Sequence, residues 1–75
     1  MQITDIQLRV FTHSLVIKMK FGMELTRTAQ SFRSQYKAAR GLSRNATHLE
    51  VLQDVAQVYR DNGWDIPSVA HPYVC

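Results

Sequence analysis

Leu15-Val16-Ile17-Lys18-Met19-Lys20-Phe21-Gly22-Met23 decides how the first third of the chain is read. Leu15, Ile17, Met19, Phe21 and Met23 recur at every second position, with Val16, Lys18, Lys20 and Gly22 between them. Alternation of this kind, with β-branched members, predicts a strand with one buried face. Upstream, Ile6, Leu8 and Val10 alternate with Gln7 and Arg9. A helix through 3–23 would spread its apolar positions around the whole wheel, which argues for strands over 6–23 rather than a surface helix. These strands pair within the chain as a β-hairpin or between chains as a ribbon. In a hairpin, a three-residue loop at Thr12-His13-Ser14 puts the two apolar sets on opposite faces. A two- or four-residue loop sets Val10 against Ile17, Leu8 against Met19 and Ile6 against Phe21, and buries all six together. His13-Ser14 lacks the Gly, Asn or Asp of a tight two-residue turn, so the four-residue loop fits better.

Beyond residue 24 the period changes. Leu25, Ala29, Phe32, Tyr36 and Ala39 step by four, three, four and three, the apolar stripe of a helix. Thr26 is the expected N-cap and Gly41 the stop, with Arg40 well placed against the helix dipole. Thr47-His48-Leu49-Glu50 has capping-box form and opens a second helix, with Asn45 or Ser43 as alternative caps. Leu49, Leu52, Val55, Ala56 and Tyr59 line one face, widened by Val51 and Val58, and Asn62-Gly63 ends it. So wide a face predicts cover on two sides, by the first helix and by either the strands or a second chain. Leu49, Leu52, Val55 and Tyr59 are therefore the expected homo-oligomer interface. Residues 64–75 are apolar, contain Pro67 and Pro72 and lack a helical period, which predicts an extended tail. The fold class is α+β: an N-terminal hairpin or ribbon, two antiparallel helices over 25–61, and an extended C-terminal tail.

Length limits the rest. Seventy-five residues make a single small domain, 1–75, whose core is marginal without disulfides, metal or oligomerisation. Cys75 is the only cysteine, so no intramolecular disulfide forms and a reducing, cytoplasmic compartment is expected. The longest aliphatic run, Leu15-Val16-Ile17, is far too short to span a bilayer, and Met1-Gln2-Ile3-Thr4-Asp5 lacks the basic start of a signal peptide.

Catalytic signatures are missing. His71 and Cys75 have a usable zinc spacing, but two ligands do not make a structural site, so no metal and no cofactor are expected. Ser31, Ser34 and Ser43 lie outside any nucleophile-elbow pattern, and Gly22, Gly41 and Gly63 are isolated rather than a phosphate loop. Glu50 and Asp54 form an i, i+4 acidic pair expected on a solvated helix face. No catalytic residues are assigned, and a non-enzymatic binding protein is the expectation.

Charge is more informative. Residues 6–45 carry Arg9, Lys18, Lys20, Arg27, Arg33, Lys37, Arg40 and Arg44 against Glu24 alone. Residues 46–75 carry Arg60 against Glu50, Asp54, Asp61 and Asp65. Arg33, Lys37 and Arg40 fall at i, i+4 and i+7, one stripe along the first helix, and Lys18 and Lys20 project together from the strand. Such a stripe can track phosphates. A helix-turn-helix around Gly41-Leu42 is out of phase, because Arg40, Thr47 and Glu50 occupy its apolar positions. The order strand, helix, helix fits better. Val16-Ile17-Lys18-Met19-Lys20-Phe21, the turn Gly41-Leu42-Ser43-Arg44-Asn45, and Val51, Leu52 and Val55 behind it make residues 16–61 resemble, in outline, the ribbon-helix-helix family of small dimeric DNA-binding regulators. The resemblance implies that Val16, Lys18 and Lys20 face bases in the major groove and that the amides around Ser43 and Arg44 meet a phosphate. The expected function is that of a small, homodimeric, non-enzymatic nucleic-acid-binding regulator, with transcription regulation on duplex DNA as its setting and Lys18, Lys20, Arg33, Lys37, Arg40 and Arg44 as the nucleic-acid or partner-binding residues. The alternative is a small inhibitor or adaptor that acts by protein–protein binding, through the basic face, which suits an acidic protein, or through the apolar tail.

Overall fold

Thr4 and Gly22 bracket the segment expected to hold the hairpin, and they cap a helix instead. In the computed structural model, which describes residues 3–75, α1 spans Asp5–Phe21 without interruption. The Thr4 hydroxyl accepts from the Gln7 amide at 3.2 Å while the Thr4 amide donates to the Gln7 side chain at 3.4 Å, a reciprocal capping box. Gly22 closes the other end in the left-handed region (φ 70°), where its amide reaches the Lys18 carbonyl. Asp5 in the first turn and Lys18 and Lys20 in the last suit the helix dipole. His13 and Ser14, the expected turn, lie mid-helix, each side chain bonded to the carbonyl four residues back.

No strand occurs among the described residues, so the α+β class, the hairpin and the ribbon are all corrected to an all-helical fold. The reason lies in helix geometry. Residues two apart on a helix sit about 200° apart, on nearly opposite faces. A helix that is apolar on both faces therefore alternates like a strand. Leu8, Phe11, Thr12, Leu15 and Val16 are buried on the inner side, whereas Ile6, Val10, Ile17 and Phe21 are exposed on the outer side.

The two later helices form where expected. α2 spans Arg27–Arg40, with Thr26 accepting from the Ala29 amide and Gly41 as C-cap (φ 69°). α3 spans His48–Asp61, with Thr47 accepting from the Glu50 amide and Asn62 as C-cap. The tail is not extended: a 3-10 turn at Ser68–Ala70 leads into a short helix, α4, at His71–Val74.

α1 is the hub. It packs against α2, α3 and the Ser68–Ala70 turn, while α4 lies on α3. Phe11 meets Phe32 and Tyr36 of α2, with ring centroids 4.8 and 5.8 Å away. On the other side Arg9 lies over the Tyr59 ring of α3 and reaches the Asp65 carbonyl, and Trp64 closes edge-on against Tyr59. The wide face of α3 is thus covered within one chain, by α1 and the folded tail. Leu52, Val55 and Tyr59, expected at an oligomer interface, are 0–1% exposed inside this core; of that set only Leu49, at 39%, faces outward.

The two faces of α1 separate in a mutational test. Leu15→Ala removes a fully buried side chain and lowers the unfolding free energy by about 2–5 kcal/mol. Ile17→Ala, outward and part-exposed, costs less than about 1 kcal/mol in dilute protein. Urea unfolding distinguishes this from a strand, in which both residues share one buried face and cost alike.

Candidate polyanion interface

Arg33, Lys37 and Arg40 lie on one side of α2, as their spacing requires, but their heads are engaged. Arg33 Nη2 donates to the Ala46 carbonyl at 2.7 Å, and Lys37 Nζ donates to the Arg44 carbonyl at 2.6 Å. These bonds hold the connection between α2 and α3 against α2. The Arg44 and Ala46 carbonyls lie outside the helices, so cationic donors are an effective way to satisfy them. Ala46 is buried as a result. Arg40 turns to α3, where Nε and Nη2 fork onto the two Asp54 oxygens at 2.8 and 3.4 Å. The Tyr36 hydroxyl donates to the same carboxylate at 2.6 Å.

Asp54 is therefore not half of a solvated acidic pair. Burial pushes its carboxyl up, but the hydrogen bonds from Arg40 and Tyr36, with the Arg40 charge, outweigh burial and hold it below the ordinary aspartate value. Burial, reinforced by Asp54, drives the Tyr36 phenol far up, so it stays a neutral donor.

Arg33 and Lys37 differ from Arg40 because carbonyl dipoles, not carboxylates, receive them. Their charge is left uncompensated. Lys37 is buried, and burial together with the Arg33 and Arg44 charges lowers its ammonium below the ordinary lysine value. His48, at the first turn of α3, is lowered by burial and then by Arg33, Lys18 and Lys37. These effects place Lys18, Arg33, Lys37, Arg44 and His48 at one junction, where the end of α1 meets α2 and the start of α3. No carboxylate contributes to the shift of either Lys37 or His48. Arg33 Nε and His48 Nδ1 are buried without a hydrogen-bond partner. Arg44 is exposed, and a groove of about 350 Å³ beside it is lined by Ser34, Lys37, Ala38 and Leu42.

The expected site residues thus divide. Lys18, Arg33, Lys37 and Arg44 come together, and His48 joins them unforeseen. Arg40 is withdrawn into its pair with Asp54. Lys20 does not project beside Lys18, because two helical steps turn it about 160° away; it lies over the Phe21 ring and lines a groove against the tail. Val16 is buried, so neither it nor Lys20 sits on a strand that could enter a major groove. Among the described residues no group of three or more His, Cys, Asp or Glu is placed to hold a metal, and no helix is long and apolar enough to cross a membrane. No family model matches the chain, and no curated protein or solved structure is significantly similar to it.

The Asp54 hub makes stability depend on acid. Its carboxyl titrates lower in the folded than in the unfolded chain, so its contribution is complete above about pH 4 and disappears as pH falls through the lower folded value. Asp54→Asn should cost about 1–3 kcal/mol at pH 7 and less at pH 2–3. Urea unfolding at the two pH values checks this; an equal cost at both contradicts the ion-pair role.

Proposed function

We propose that this is a small non-enzymatic binding protein that takes a phosphate polyanion, duplex DNA first among them, on the junction of Lys18, Arg33, Lys37, Arg44 and His48. One observation carries the proposal: cations from α1, α2 and the connecting loop gather beside His48, and the two that are engaged, Arg33 and Lys37, are held by backbone carbonyls rather than by acids. Such a field attracts polyanions, and release of their counterions supplies the binding free energy. Contact would be through phosphates, which position a duplex without reading its sequence. Transcription regulation is one use of such contact, and the exposed thiol of Cys75 accords with a cytoplasmic setting.

Binding to a random duplex across a salt series is the test. A slope of log K against log salt of roughly −2 to −4 corresponds to the cations gathered here. Arg44→Ala and Lys18→Ala should each flatten it by about one unit, while Lys20→Ala leaves it unchanged. His48 gives an independent readout. A polyanion beside it offsets the cations that lower its pKa, so its titration, followed by NMR, should move upward on binding. No binding at 20 mM salt, where nonspecific attraction is strongest, sinks the proposal. An acidic protein docked on the same junction would then be the better account.

A further inference from the structure

The outer face of α1 is apolar directly opposite the core. Ile6 is 76% exposed, Val10 63%, Ile17 42% and Phe21 66%. At 100° per residue these four fall within about 60° of arc, a single ridge roughly 22 Å long. His13 and Ser14 lie at its middle, on the same side. The ridge is flanked by two grooves. One, about 290 Å³, runs along the N-terminal half against α2, between Ile6, Val10, Ala29 and Phe32. The other, about 370 Å³, runs along the C-terminal half against the tail, between Ile17, Phe21, Val69 and Tyr73. Four large exposed apolar side chains on one ridge, divided only by His13 and Ser14, are unusual on a chain that stays alone in water.

Its spacing is palindromic. Ile6 and Phe21, Val10 and Ile17, and His13 and Ser14 are each placed symmetrically about the midpoint between residues 13 and 14. A second α1 laid antiparallel across a two-fold axis at that midpoint sets Ile6 against Phe21 and Val10 against Ile17, twice each. The same operation brings the groove at one end of the ridge opposite the ridge residues of the other copy. It also opposes the two helix dipoles and lays the first turn, with Asp5, beside the last turn, with Lys20. A parallel pairing would stack Phe21 on Phe21 and align like helix ends. We infer that the outer face of α1 is a homodimer interface, occupied by the same face of a second copy, antiparallel and centred on His13 and Ser14.

A two-fold interface uses one self-complementary patch on both subunits, which is what the palindrome supplies. One helix ridge with its flanking grooves is small for a protein interface, below about 1,200 Å² in total, the size class of weak, transient association. The inference is independent of the basic junction, because Arg33, Lys37, Arg44 and His48 belong to α2, the connecting loop and α3 rather than to the ridge, and Lys18, about a quarter-turn around α1, is turned from it.

Sedimentation equilibrium from 5 to 500 µM tests it, together with disulfide trapping in a Cys75→Ser background. The wild-type chain should dimerise within that range. Ile17→Asp and Val10→Asp should each weaken association at least tenfold while far-UV circular dichroism of the monomer stays helical; the two substitutions serve as independent checks on folding. Under mild oxidation Ser14→Cys should link to its own copy, and Ile6→Cys should link to a Phe21→Cys chain but not to itself. A monomer at 500 µM overturns the proposal and leaves the ridge to a different partner. So does a dimer indifferent to both aspartates. Self-linking of Ile6→Cys in preference to Ser14→Cys overturns the antiparallel register.

Discussion

Leu8, Phe11, Leu15 and Val16 project from one side of α1 into the space between α2, α3 and the returning tail, and the other elements are arranged around that insertion. Phe11 joins α1 to the Phe32 and Tyr36 rings of α2. Arg9 and the buried Tyr59 join it to α3, and Ala70 brings the tail back onto the same surface. Each fully buried aliphatic or aromatic side chain contributes about 1.5–3 kcal/mol, so a handful of contacts on one helix is comparable with the whole net stability of a small domain. Without α1, α3 would expose the apolar face that its sequence builds. The radius of gyration, 11.3 Å, matches the compact value of about 11 Å for a chain of this length, so one chain suffices to close the core.

A second, polar layer fixes how α2 meets α3. Arg40 and Tyr36 converge on Asp54, while Arg33 and Lys37 hold the connecting loop by its carbonyls. The two kinds of contact have different electrostatic consequences. The Arg40–Asp54 pair neutralises itself. The loop clamps satisfy hydrogen bonds without cancelling charge, and Lys18, Arg44 and His48 share their field. The same side chains that build the turn thereby concentrate positive potential on its outer surface, which ties the proposed polyanion contact to the architecture rather than to a loose surface patch.

The legible parts of this fold are those with one apolar face. α2 and α3 have a single stripe each, bounded by Thr26 and Gly41 and by Thr47 and Asn62-Gly63, and spacing plus caps locates both. α1 defeats the same method because its outer ridge fills the gaps in its inner stripe. Yet its ends were written in the sequence: Thr4-Asp5-Ile6-Gln7 is a capping box, Gly22 a left-handed stop, and no Gly, Pro, Asn or Asp interrupts the residues between Asp5 and Gly22. The caps, not the alternation, mark the helix. The pairs Val10 with Ile17 and Ile6 with Phe21, which suggest a hairpin, are two members of the α1 palindrome. At the site, spacing places Arg33, Lys37 and Arg40 on one side of α2 but cannot tell which cation meets a carbonyl and which a carboxylate. That depends on where the loop returns and on Asp54 facing α2, both tertiary facts. His48 carries no sequence signal beyond its place in the first turn of α3.

The core, the basic junction and the outer ridge all require α1 to be one continuous helix with two apolar faces, and backbone chemical shifts measure this most directly. Cα secondary shifts over residues 5–21 should be uniformly positive, with no break at Thr12-His13-Ser14, and should collapse at Gly22. Negative shifts over 6–10 and 15–21, separated by a turn at 12–14, would restore the strands and contradict the core, the basic junction and the outer ridge together.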